Sequence, residues 1–181
     1  MRYAAAMSAR TVTAAAIQDI PPGTRVQVTG RVRSTDPVES PHGGPPLVGY
    51  AIACSVFVGR PGLPEFDRTH QVVRWNDAVL EDSTGTVELD LDGSFVRAPA
   101  GEERHLHELE DMQRVLKALG LQVASPVQLQ LLDRSVPDGT TVTVTGVVDV
   151  AREGKGAFRS SARPRVVLRG DRTRPLVLMP R

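Results

Sequence analysis

Apolar and polar residues alternate with a period of two through most of this chain. The clearest case is Ala78 to Asp92, AVLEDSTGTVELDLD. Alternation runs into a polar turn, Asp82-Ser83-Thr84-Gly85, and resumes at Val87, Leu89 and Leu91. Alternation on both sides of a turn that ends in Gly predicts a β-hairpin with one buried face. The Asp82 carboxylate is placed to accept hydrogen bonds from its own turn, beside Thr84, and Gly85 takes backbone shapes closed to other residues.

The same period predicts a strand at Arg25 to Arg33, where Val26, Val28 and Val32 alternate around Gly30. A strand of similar phrasing follows 116 residues later. Gly23-Thr24-Arg25-Val26-Gln27-Val28-Thr29-Gly30 matches Gly139-Thr140-Thr141-Val142-Thr143-Val144-Thr145-Gly146 in its glycines and valines. The two strands are expected to play equivalent roles and to approach each other, with Gly30 and Gly146 at bends or bulges. Tyr50 to Val58 and Gln71 to Trp75 read as further strands, with Cys54 and Trp75 facing the core. Thr35 to Leu47 is a shaped loop and Gly59 to Phe66 a turn. Val127 to Val136 reads as a strand, although Ser125-Pro126 is also a helix-start signal. Phe158-Arg159, Arg165 to Leu168 and Leu176 to Met179 would close the fold.

A period of 3.6 replaces the period of two once. Leu106, Leu109, Met112, Val115, Leu116 and Leu119 form one stripe and predict a helix over about residues 102–119, with Lys117 in its last turn and Gly120 at its C-terminus. A short helix is expected over Thr11 to Ile20, capped by Thr13 and stopped by Pro21-Pro22. The resulting fold class is mainly β, an OB-like small barrel or barrel-sandwich with one substantial helix. Residues 1–10 are expected to be a flexible N-terminus and 11–181 a single β domain.

Composition narrows this picture. Aromatic residues are 4% of the chain, so the core rests on Val, Leu, Ile and Ala. The one cysteine, Cys54, excludes an internal disulfide and a Cys-rich zinc site. No run approaches the roughly 20 apolar residues of a membrane helix. The N-terminus lacks a signal-peptide pattern, so a cytoplasmic or membrane-peripheral location is expected.

Net charge is +1, yet the charges segregate. Asn76 to Asp111 holds eleven acids and two bases; Ala151 to Arg181 holds nine bases and two acids. Arg159, Arg163, Arg165, Arg169, Arg172 and Arg174 are thus candidate contacts to something anionic: a phosphate-bearing lipid at a membrane surface, nucleic acid or an acidic protein. The competing account is internal: these arginines pair with the acidic hairpin Glu81 to Asp92.

Candidate chemistry is sparse. Ser40, His42 and Asp36 share a loop without a nucleophile-elbow pattern. Asp82, Asp90 and Asp92 lack the rest of a calcium loop. His105 and His107, on a helix, would point about 200° apart and could not share a metal. No phosphate-cradling glycine loop is present. No enzyme activity, cofactor or metal is expected. An OB-type barrel raises single-stranded nucleic acid as an alternative ligand, but that use wants aromatic platforms in a basic groove. Here Tyr50, Phe57, Trp75, Phe95 and Phe158 are scattered, and the hairpin is acidic. A small-ligand-binding domain is the second alternative.

Taken in order, several short motifs resemble one family. Ile20-Pro21-Pro22-Gly23 with V-x-V-x-G is similar to the opening strand of the GIDE-type domain, also called BAM ("beside a membrane"). Ser40-Pro41, Gly43-Gly44 and Tyr50 resemble its S-P-x-x-G…Y segment. Trp75 and the Glu81 to Asp90 run resemble its hallmark hairpin, and Val136-Pro137-Asp138-Gly139 its second opening strand. The resemblance spans roughly Thr11 to Arg181. Its best-known members are membrane-anchored mitochondrial ubiquitin ligases, whose ligase chemistry sits in a separate RING. With one Cys, this chain cannot hold a RING's zinc ions. The resemblance therefore implies a non-catalytic interaction module that docks a protein partner or works beside a membrane.

Overall fold

The computed structural model describes residues 9–60, 62–92, 94–101, 103–151 and 166–181. The strands are β1 (Arg10–Thr11), β2 (Arg25–Ser34), β3 (Leu47–Arg60), β4 (Leu63–Trp75), β5 (Ala78–Asp82), β6 (Gly85–Leu89), β7 (Val96–Arg97) and β8 (Glu103–Leu106). Helix α1 (Leu109–Ala118) follows, then β9 (Gln128–Pro137), β10 (Thr141–Val150), β11 (Val166–Arg169) and β12 (Leu176–Pro180). Strand at 54% against 10% helix makes the chain mainly β. Where the pattern predicts one domain over 11–181, contacts gather the chain into two compact units. Met1–Asp36, Asn76–Ala98 and Asp138–Arg181 contribute to the first, Pro37–Trp75 and Pro99–Pro137 to the second.

The first unit is a closed five-stranded barrel, β2-β5-β6-β11-β10 and back to β2. All neighbours are antiparallel except β6 and β11. Numbering these five in chain order gives 1-2-3-5-4-1, the topology of a small OB-like barrel. Closure leaves these strands no free edge along their pairing. Alternation supplies the interior: Val26, Val28, Val32, Leu80, Val87, Leu89, Val144 and Leu168 are all buried.

The two repeated strands pair with each other, Val28 opposite Val144, as their shared phrasing predicts. Of the bends or bulges expected at Gly30 and Gly146, the bulges are corrected. The register runs unshifted through both, and neither has positive φ. Gly30 is needed for space: a Cβ there would fall on the carbonyl oxygen of Glu81 in β5. At Gly146 the nearest atoms would be 3.4 Å away, an ordinary contact.

The segment before β2 also differs from expectation. Arg10 and Thr11 are a short strand parallel to β2, and Ala15–Asp19 is a 3-10 helix. Its cap position is Ala14, not Thr13, and no side chain of its own caps it. The hairpin turn of β5–β6 does so instead, as set out below.

The second unit is an antiparallel sheet, β4-β3-β9-β8, with α1 in its core. Tyr50, Ile52, Cys54 and Val56 from β3 meet Met112, Val115, Leu116 and Leu119, with Leu129 and Leu131 from β9. The predicted helix of 102–119 is shorter by about two turns, because Glu103–Leu106 is strand β8. Pairing with the otherwise open edge of β9 satisfies backbone groups on both strands, which outweighs the helical stripe's first member. His105 therefore lies on a strand. The predicted end holds: Gly120 has φ +69, and the amides of Gly120 and Leu121 donate to Lys117 and Leu116 carbonyls at 3.0 and 2.8 Å. The predicted turn at Gly59 to Phe66 is also corrected, since β3 and β4 run on to Arg60 and Leu63. Trp75 is 6% exposed at the end of β4, its ring over Gly49, where a Cβ would come within 2.5 Å of ring Cε3.

Candidate functional site

Asp82 organises the β5–β6 turn. Its Oδ1 accepts from the Thr84 amide (2.7 Å), the Thr84 hydroxyl (2.6 Å) and the Gly85 amide (3.2 Å). Its Oδ2 accepts from the Ala14 amide at 2.8 Å, and Thr84 Oγ1 accepts from the Ala15 amide at 3.2 Å. The turn thus caps the 3-10 helix from 68 residues away. Burial opposes the carboxylate's charge, but the Thr84 hydroxyl and the three amides outweigh it and hold the Asp82 pKa below its ordinary value. Asp82, Thr84 and Gly85 thus act together in the β5–β6 turn, and Gly30 makes room for the Glu81 carbonyl, whereas Gly146 would accept a methyl group.

The same device occurs again, unnoticed from sequence although its D-x-T spacing is visible there. Asp171 Oδ1 accepts from the Thr173 amide, the Thr173 hydroxyl and the Arg174 amide at 2.8, 2.6 and 2.7 Å. The Thr173 hydroxyl leads in lowering the Asp171 pKa, followed by the Arg174 amide.

Of the six candidate surface arginines, Arg159, Arg163 and Arg165 lie outside the described residues, as does the predicted strand Phe158-Arg159. Arg169 is 17% exposed on its side chain and pairs with Asp90 and, at 3.0 Å, with Asp149. Burial works against its charge, but the two carboxylates raise its pKa overall. Asp90 belongs to the acidic hairpin, so at this position the internal account describes the molecule. Arg174 lies 3.6 Å from Asp171 and donates to the Gly23 carbonyl at 3.3 Å; Arg172 is exposed. Of the outward-facing side chains of β5 and β6, Glu81 and Glu88 are acidic.

In the second unit, His42 folds down onto Asp133, Nε2 to Oδ2 3.6 Å, both nearly buried. Ser135 donates its hydroxyl to the same Asp133 oxygen at 3.2 Å. The hydroxyl therefore faces the acid and not the imidazole, which is the wrong order for an activated nucleophile. Asp36 belongs to the other unit and is not part of this cluster. Burial raises the Cys54 thiol to about 11, leaving it an inert core group. No group of three or more His, Cys, Asp or Glu poised around a metal occurs among the described residues. His105 bonds Glu103 at 2.9 Å on the exposed side of the sheet.

The feature that stands out is apolar. Leu63 is 76% exposed, Phe66 60% and Leu109 54%. Gly62, Pro64, His107, Leu109, Met112 and Val127 line a groove of about 450 Å³ beside the β3–β4 turn. Phe66 stands apart from this groove: it is edge-to-face with Phe57, ring centres 5.7 Å apart, on the sheet face that Val56 and Val58 turn away from. Large exposed apolar groups gathered at one place mark an interaction site more often than scattered ones do. Leu63 and Phe66 fall in the span the sequence pattern assigns to a turn. The available signal was the lack of any glycine between Gly62 and Gly85.

Neither protein-family models, nor curated proteins, nor solved structures match this chain. Among the described residues, no helix is long and apolar enough to cross a membrane.

Proposed function

We propose that this chain is a non-catalytic interaction module of the GIDE/BAM kind, in which the barrel is the scaffold and the second unit carries the docking head. The exposure of Leu63 and Leu109 beside the groove carries this reading. Burying such groups against a partner removes apolar area from water at about 25 cal/mol per Å². The motif order from Ile20 to Gly139 supports the family assignment. An anionic membrane surface is a weaker candidate partner, because Arg169 is already engaged with Asp90 and Asp149.

The OB-like topology favours one second reading, a single-stranded nucleic-acid binder. Neither β5 nor β6 carries an aromatic side chain on which a base could stack.

A photocrosslinking residue placed at Leu109, and at exposed Arg97 of the first unit as control, tests the docking head in living cells. A discrete adduct from position 109 alone, abolished by Leu63→Asp, is expected. Equal adducts from both positions, or none, would remove the reading. Titration of a labelled oligothymidine at low and physiological salt addresses the second one: tight binding that weakens steeply with salt would favour it over ours.

A further inference from the structure

The hairpin tip and the groove beside it form one patch in the second unit, and we infer that a second copy of this chain is the partner that covers it. The inference rests on the docking-head reading and names the occupant of that head. Leu63 stands out between Gly62 and Pro64, and both of these line the groove. A knob thus sits immediately beside a hole. A two-fold axis is the operation that seats the knob of each copy in the hole of the other, because an isologous interface uses the same patch twice.

The rim charges point the same way. Arg60 is exposed at the end of β3, and Glu65 and Glu108 are exposed next to the lining residues Pro64 and Leu109. None of the three makes an ion pair among the described residues. A patch carrying both signs is complementary to itself, since the base of one copy meets the acids of the other. The same acids repel anionic lipid headgroups and nucleic-acid phosphates, which sets a second copy ahead of either. Asp67, the extra residue where the β3–β4 register shifts between Val56 and Phe57, interrupts β4. That irregularity blunts simple edge-to-edge pairing and leaves side-chain docking at the tip as the mode of contact.

Sedimentation velocity of the purified chain from about 1 to about 200 µM tests this, the range in which modest interfaces associate. The expected result is a concentration-dependent monomer–dimer equilibrium. Leu63→Asp should weaken it at least about 30-fold, the size of a hot-spot loss. Because Leu63 is so exposed, its circular dichroism and thermal midpoint should stay as in the parent. A monomer across the range, or a dimer indifferent to Leu63→Asp, overturns the inference. In that event the crosslink from position 109 separates the two failures. An adduct with a different protein keeps the docking head and discards self-association; no adduct removes both.

Discussion

Gly23 and Gly139 occupy equivalent places in the barrel. Each has positive φ, +88 and +78, and each amide donates at 2.8 Å to a valine carbonyl on the opposite long strand: Gly23 to Val148, Gly139 to Val32. The return bonds match as well, Val148 to Thr24 and Val32 to Thr140, both 2.9 Å. The offset of 116 residues seen in the sequence thus describes a local two-fold relation between β2 and β10, centred on Val28 opposite Val144. The relation extends outward. β5 pairs with Arg31–Ser34 of β2 as β11 pairs with Val147–Val150 of β10, and each of these strands leads into a D-x-T turn.

The two glycines inside that relation are nevertheless unequal. Gly30→Ala should cost about 1–3 kcal/mol, because β5 must move away from the new methyl group. Gly146→Ala should stay within about 1 kcal/mol, since its neighbours leave room. Urea unfolding of both variants measures the difference. Equal costs would mean that a shared backbone constraint, and not the approach of Glu81, explains these positions.

Asp82→Ala removes the acceptor for three turn bonds and for the amide of Ala14, and should cost about 2 kcal/mol at neutral pH. The folded Asp82 pKa lies below its ordinary 3.8, so its contribution is present above that value and drains as pH falls through the folded one. The gap between parent and variant should therefore narrow at acid pH. A gap that widens on acidification would contradict the turn geometry.

Arg169→Ala leaves Asp90 and Asp149 without their shared cation. A loss of about 1–3 kcal/mol is expected for so partly exposed a cluster, below the range of fully buried pairs. A double-mutant cycle with Asp149→Ala should show coupling between the two positions. Independent, additive effects in that cycle would count against an internal role for Arg169.

Burial lowers the His42 pKa below 6.5, Asp133 pulls it up and Arg104 pushes it down again, with burial prevailing. The unfolded chain then takes up a proton near pH 6.5 that the folded chain refuses. Stability is full above 6.5 and falls as pH drops through the folded value. His42→Gln should flatten that acid limb. A variant with the parent's pH dependence between 7.5 and 5 would show that His42 does not set it.

Period-two alternation was enough to determine the β class, the β5–β6 hairpin with its Asp82 turn, and the pairing of the two V-x-V-x-G strands. Each rests on local chemistry: one apolar face per strand, a carboxylate within reach of its own turn, and a buried face that requires a partner. Tertiary structure decided the rest, because those outcomes depend on groups distant in the chain. Glu103–Leu106 became a strand because β9 offered an unpaired edge. The segment at Ala15 became a 3-10 helix because Asp82 and Thr84 cap it from another element. Gly30 is confined by the carbonyl of Glu81, which the sequence around it does not reveal. Leu63 and Phe66 read as turn residues because nothing local marks a strand whose side chains stay in water; their exposure appears only once β3 and β4 are paired out to the tip.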